Sequence, residues 1–327
     1  MSPRRRFSFG VALVLGVALV ACGRGGEKAD ASATATAAAT VEAGTDASTD
    51  ASADASTDPH VEADTPFLTG VPTSAKSIGH TSIVLKVELS TGQKAAFKPA
   101  SRRGPLRYKG EVAARRLALA LGLSNVPPVF FRTFEASTLA AAKGAEEMIV
   151  KDGVVKGALI PWIPDLTFIA LEQAPLSGEW KQWLRKGSTI PDDKRELAAQ
   201  ISTLVAFDYV TGNWDRWSGG NVGIDKATGS LLYIDNDGAF FEVAPQDGLQ
   251  RNKKLLAGID RFSRSFITRM RILDEAELTR VLGDEAPAVP LLSAKALAGV
   301  VQRRKELLEV VDAKLKAAGD ETTFSFR

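Results

Sequence analysis

Asp208-Tyr-Val-Thr-Gly-Asn-Trp-Asp215-Arg216-Trp-Ser-Gly-Gly-Asn221, followed by Tyr233-Ile-Asp235-Asn-Asp237-Gly238, is the stretch on which the reading of this chain turns. An Asp-Arg pair closes a helical pattern, an Asn follows inside a Gly-rich loop, and a second Asp ends an apolar, strand-like run. Phosphoryl transfer from a nucleotide uses such parts in this order. One carboxylate accepts the proton of the attacking hydroxyl, and an Asn and a second carboxylate hold the metal that neutralises the phosphates. Side-chain oxygens suit a hard cation such as Mg or Mn. The same residues also make a turn-rich surface loop, because Asp, Asn and Gly are common turn formers. The stretch alone leaves both readings open, and the rest of the chain decides between them.

The chain has 327 residues, is 45% hydrophobic and carries a formal net charge of +2. That length supports one large domain or two lobes with a real core. The near-neutral balance gives no argument for a nucleic acid partner. With 1 Cys and 2 His, a thiolate zinc site, a disulfide framework and a cysteine protease are all disfavoured.

Residues 1–21 read as a secretory signal peptide, with Arg4-Arg5-Arg6 ahead of an apolar run from Phe9 to Ala21. The run ends Leu19-Val20-Ala21-Cys22, which resembles a bacterial lipobox. The expectation is an exported bacterial lipoprotein, anchored to a membrane through lipid on Cys22, at the periplasmic face or the cell surface. Residues 22–64 are then a lipidated Cys and an acidic tether of Ala, Thr, Ser and Asp. The tether lacks the apolar side chains needed to offset chain entropy and is expected to be disordered. The folded part starts near Thr65 and is about 260 residues long.

Thr81 to Lys98 reads as a hairpin turning at Ser90-Thr-Gly-Gln. Lys98, between Phe97 and Pro99, can meet nucleotide phosphates as a point charge or sit on a surface edge strand. Ser77-Ile-Gly79-His80 is a loop ahead of the hairpin. From Tyr108 to Gly122, Val112, Ala113, Leu117, Ala120 and Leu121 mark one helical face. Glu111 is read in its first turn, where the helix dipole favours a carboxylate. Its other reading is a partner for Lys98 or a metal. Val126-Pro-Pro-Val-Phe starts another strand, and Glu147 to Trp162 forms a second hairpin. Further on, Asp192 to Val210 is an amphipathic helix that delivers Asp215. Leu249 to Ile272, Glu275 to Leu282 and Ala294 to Ala318 read as further helices.

These residues line up with a family. Phe97-Lys98-Pro99, Gly110-Glu111-Val-Ala-Ala, Val126-Pro127-Pro128, Gly157-Ala-Leu-Ile-Pro-Trp162, Gly212-Asn213-Trp-Asp215-Arg216 and Asp235-Asn236 resemble, in order, the secretory-pathway kinases of the Golgi casein kinase and four-jointed type. More distantly they are similar to HipA-like and phosphatidylinositol-kinase-like kinases. The resemblance implies an α+β, two-lobed protein-kinase-like fold over 65–327. A small β-rich N-lobe with one helix would occupy about 65–160, and a larger, mostly helical C-lobe about 161–327. It implies ATP with Mg or Mn, Lys98 on phosphates, and Glu111 on Lys98 or the metal. Ile160 and Trp162 would form a hinge beside the adenine, with Asp215 as base and Asp235 and Asn221 as metal ligands. The gap of about 20 residues between the two aspartates fits kinases. Arg216 and Asn213 would hold the loop, and Asp208 would be its buried partner. The chain departs from the pattern at Trp217, where many relatives have His, in the late position of Asn221, and in the extra Asp237.

The expected function is therefore ATP-dependent phosphotransfer to a hydroxyl of a protein or glycan. The acceptor groove is expected in a variable loop such as Leu171 to Pro191. A catalytically inactive kinase-fold binding module and a transferase of AMP are the alternatives. Retention of Lys98, Glu111, Asp215 and Asp235 together speaks against the first, and product mass separates the second. The sequence leaves the oligomeric state open.

Overall fold

The computed structural model describes residues 59–79 and 82–327. The segments expected to be a signal peptide, a lipidated Cys22 and a tether lie, up to residue 58, outside the described residues, as do His80 and Thr81. Helix α1 (Pro59–Thr69) begins inside the segment assigned by composition to the tether. Its Phe67 ring stacks on Phe130 with centroids 5.6 Å apart, which ties the segment to the sheet. Among the described residues no helix is long and apolar enough to cross a membrane.

The N-terminal half is an antiparallel sheet of β1 (Pro72–Ser77), β2 (Leu85–Leu89), β3 (Lys94–Pro99), β4 (Phe130–Glu135), β5 (Val150–Lys151) and β6 (Val154–Pro161). Its order is β1-β2-β3-β6-β4, with β5 added on β6. Strand β1 has no counterpart in the sequence reading. Pro-Thr-Ser-Ala-Lys-Ser has no large apolar side chain, and the strand forms at the sheet edge by backbone pairing to β2. The β2–β3 hairpin starts at Leu85 rather than Thr81. Alternation sorts β2 and β3 cleanly. Leu85, Val87, Leu89, Ala95 and Phe97 face a small core with Phe134, Val155 and Leu159, and Lys98 points to the other side.

That other side receives α2 (Arg107–Ala120). The helix begins at Arg107, so Glu111 lies beyond its first turn. The dipole explanation for this carboxylate gives way to the ion pair described below. Strands β7 (Thr167–Phe168), β8 (Val222–Ile224) and β9 (Leu231–Tyr233) make a small second sheet. The stretch expected as a variable loop after Leu171 contains α3 (Leu176–Trp183), whose Trp180 is fully buried and stacks on Trp217 at 5.6 Å.

The helical lobe is built on α4 (Arg195–Thr211), buried continuously from Ile201 to Thr211. Around it lie α5 (Gln246–Gly258), α6 (Arg264–Ile272), α7 (Glu275–Leu282), α8 (Ala294–Ala318) and α9 (Asp320–Thr323), with a hairpin of β10 (Asp284–Ala286) and β11 (Val289–Pro290). The single helix expected from Leu249 to Ile272 is two. Ile259 turns extended after Gly258, and Ser263 restarts the helix by accepting a hydrogen bond from the Phe266 amide. Leu256, Ile259, Phe262 and Phe266 keep an apolar rhythm across the break because all four are buried.

Candidate active site

Three carboxylates converge on the ammonium of Lys98. It donates to Glu111 Oε1 at 2.5 Å and to Asp235 Oδ1 at 2.6 Å, and lies 3.7 Å from Asp237 Oδ2. Glu111 and Asp237 are buried, with side chains 2% and 5% exposed, whereas Asp235 is 41% exposed. Burial alone would lower the Lys98 pKa, but the three carboxylates outweigh it and raise it. Burial likewise opposes ionisation of Asp235, yet Lys98, with Arg216 and Arg107 behind it, holds that carboxyl below the usual range. Asp237 goes the other way. Burial, with the Asp235 and Glu111 charges beside it, pushes it to about 6 against the pull of Lys98.

Local structure explains the convergence. Asp235 follows β9 in the left-handed region, with φ +56°, so the chain turns sharply into Asn236 and Asp237. Helix α2 lies directly on this turn. A Cβ at Gly110 would stand 2.6 Å from the Asn236 carbonyl oxygen, so only glycine lets the helix bring Glu111 this close. Asn236 Nδ2 reaches Glu111 Oε2 at 3.5 Å, and Arg107 donates to Asp237 Oδ1 at 3.2 Å.

A second network fixes the loop after α4. Arg216, 1% exposed, donates through Nε to both carboxylate oxygens of Asp208, at 3.2 and 3.0 Å. Its other nitrogens donate to the carbonyls of Asn221 (2.5 Å) and Ile234 and to Asn236 Oδ1 (2.6 Å). Burial pushes the Asp208 carboxyl up to about 6 despite the adjacent guanidinium. Asn221 Nδ2 donates to the Asp215 carbonyl at 2.8 Å, which leaves its amide oxygen as the only side-chain atom free to meet a metal. Asn252, on α5, donates to the carbonyls of Asn213 and Asp208 at 2.9 and 3.3 Å.

The Asp215 carboxylate makes no hydrogen bond or ion pair among the described residues. It faces a pocket of about 270 Å³ shared with Ser82, Ser101, Arg103, Gly104, Arg107 and Trp214. Arg103 is held by Glu147, and the Arg107 guanidinium lies 5.8 Å from the Trp214 ring centre. Ile160 pairs with Ala96, two residues from Lys98 on β3, so Ile160 shares the Lys98 face of the sheet. Beyond it, the Trp162 amide donates to the Lys94 carbonyl at 2.9 Å, and Lys86 Nζ sits 3.8 Å over its ring.

Thus Lys98, Glu111 and Asp235 meet at one point, while Asp215 and Asn221 sit on one braced loop. Ile160 and Trp162 stand along the strand that adjoins Lys98. Among the described residues no group of three or more His, Cys, Asp and Glu side chains is arranged to hold a metal. Sequence reasoning did not single out Arg107, Arg103 or Asn252. The one available signal was Arg107 preceding the Gly110-Glu111 pair by one helical turn.

No protein-family model matches the chain, and no curated protein matches it. Solved structures do. The structure of hydra Fam20 with sugar superposes with a TM-score of 0.58 at 18% identity, over 79% of this chain and 90% of that one. The Golgi casein kinase with Mn/ADP bound superposes with a TM-score of 0.59 at 14% identity, over 80% of this chain and 78% of that one. Likeness at such identities establishes the fold. The chain has an α+β, two-lobed, kinase-like fold.

Proposed function

We propose that the chain is a phosphotransferase that moves a phosphoryl group from ATP to a hydroxyl of a protein or glycan. The observation that carries this reading is the convergence of Glu111, Asp235 and Asp237 on Lys98, beside an Asp215 carboxylate that has no partner among the described residues. In this reading Asp215 accepts the acceptor's proton, and an unpaired carboxylate facing a pocket is free to do so. Lys98 meets the phosphates, and Glu111 orients Lys98. Ile160 and Trp162 flank the base. The oxygen-only donor set fits a hard cation, and Asp235 with the Asn221 amide oxygen would hold it. Bound there, Mg or Mn supplies charge neutralisation on the transferring phosphates. Support for this cofactor class comes from the Golgi casein kinase, whose structure contains Mn/ADP.

Thermal unfolding of the protein with ATP and Mn or Mg tests the reading, since a ligand specific to the native state raises the midpoint. The expected result is a metal-dependent rise that is lost in Asp235→Ala. No rise with any nucleotide or metal would sink it and leave a binding module. Product mass then reports whether phosphate or AMP is transferred. We also propose membrane attachment through lipid on Cys22. Cys22→Ser should move the protein from the membrane to the soluble fraction, and unchanged fractionation would refute the anchor.

A further inference from the structure

We propose that a second pocket, on the helical lobe, binds a phosphate group. The pocket has a volume of about 580 Å³ and forms where the start of α4, helix α6 and the C-terminal segment meet. Arg195, Arg264, Arg269 and Arg327 line it, with Thr268 and Phe324 between them. None of its lining residues belongs to the pocket at Asp215. Its size falls in the range of roughly 300–1,000 Å³ that small-ligand sites occupy.

Charge is the argument. The side chains of Arg195, Arg264 and Arg269 are all exposed, and Asp320 is the only carboxylate among the described residues that pairs with any of them. Asp320 is taken up by Arg264, which also lies 4.6 Å over the Phe324 ring. Arg195 spends one donor, on the Ser325 carbonyl at 3.0 Å. Arg269 makes no side-chain hydrogen bond or ion pair among the described residues. Its guanidinium rests against Gly122, where a Cβ would stand 2.6 Å from Arg269 Cζ. Arg261 lies close enough to Arg195 to feel its charge, with Asp260 as its own partial counter-charge. The Arg261 pKa is lowered by burial first and by Arg195 next, and its Nε is buried without a partner.

Guanidinium groups that outnumber their one carboxylate, Asp320, repel one another, and a bound anion relieves that repulsion. Arginine rather than lysine points to an oxyanion, because the planar fork donates two parallel hydrogen bonds. A carboxylate has two oxygens and one charge. A phosphate presents more oxygens and can satisfy several forks at once, which matches the number here. The phosphate could arrive on a soluble compound or on a lipid headgroup, and the two sources separate experimentally.

The test is isothermal titration of the full chain with inorganic pyrophosphate and, separately, with dihexanoyl-phosphatidic acid, a phosphomonoester headgroup, below its micelle concentration. The expected result is saturable binding of at least one. Pyrophosphate alone would identify a soluble phosphate compound, and the glycerophospholipid alone a headgroup; either supports the site. Arg269→Ala should weaken binding by about tenfold, the loss expected for one charge-assisted contact. Thr268→Glu, at an exposed position, should weaken it at least as much by placing an anionic side chain in the pocket. Lys98→Met, which removes the cation at the other site, should leave it unchanged. Binding of neither probe would overturn the inference. So would binding that survives both pocket variants, or that disappears in Lys98→Met, since the anion would then sit beside Lys98.

Discussion

Replacing Lys98 by Met keeps the apolar stem of the side chain, at nearly the same length, and removes its charge. In the native protein that charge stands 2.5, 2.6 and 3.7 Å from Glu111, Asp235 and Asp237. The three contacts do not count equally. Asp235 is 41% exposed, so water screens it and its share is small. Glu111 and Asp237 are 2% and 5% exposed and have no such recourse. Breaking a buried pair by removing one partner costs about 3–5 kcal/mol, because the remaining charge stays buried. Lys98→Met should therefore lose about that much stability, which lowers the thermal midpoint by roughly 10 °C in a protein of this size. Urea unfolding followed by tryptophan fluorescence measures it directly. The reasoning also requires a rescue. In the Lys98→Met background, Asp237→Asn removes one of the crowded charges and should restore at least about 1 kcal/mol. Stability of Lys98→Met within about 0.5 kcal/mol of wild type would refute the reasoning, since that is the effect of an ordinary surface change. Further loss on adding Asp237→Asn would refute it equally.

Arg216→Lys keeps the charge but loses the planar fork, so it cannot serve Asp208, Asn221, Ile234 and Asn236 together; chemical denaturation should show a loss of about 3–5 kcal/mol. Gly110→Ala drives a methyl group against the Asn236 carbonyl and should cost about 1–3 kcal/mol in the same assay, with Gly110→Val worse. Asp208 is raised by burial to about 6, above its unfolded value, so the native state binds its proton more tightly than the unfolded chain does. Its contribution is therefore fully present at low pH and is lost as pH rises through about 6; Asp208→Asn should flatten the pH dependence of stability between about pH 4 and 6, by up to roughly 3 kcal/mol.

Much of the kinase-like architecture was legible because its parts are local. The Asp208–Asn221 loop announces itself by a buried helix running into turn residues, and the hairpin strands by alternation. Strand β1 was not legible. Its small polar residues carry no apolar period, and an edge strand forms through a neighbour's backbone that a local window does not contain. The split between α5 and α6 was hidden for the opposite reason, since the buried residues keep their rhythm across the extended turn at Ile259. At the site, the sequence left Glu111 with three readings, a dipole partner in the first turn, a partner for Lys98 or a metal ligand, and the fold is what brings it to Lys98. The place of Asp237 in the same cluster was not legible, because it depends on the turn that begins with the left-handed Asp235. Arg107 looks like any solvated arginine at a helix start until the fold brings Asp237 and Trp214 to it.

The Arg216 fork has a consequence for how the chain can change length. It fastens α4, the Asp215 loop and the Asp235 turn at one hub, so their relative positions do not depend on the hairpin that joins them. That hairpin closes on itself at its tip. The Asp225 amide donates to the Ser230 carbonyl, the Gly229 amide to the Asp225 carbonyl, and the Asp225 carboxylate accepts from the Ala227 amide and the Thr228 hydroxyl. Residues 226–229 are exposed. Insertions there should extend the ribbon without displacing either aspartate. The number of residues between the two aspartates is thus a free variable of the scaffold, and the tip is a natural place to graft a peptide, a label or a second domain.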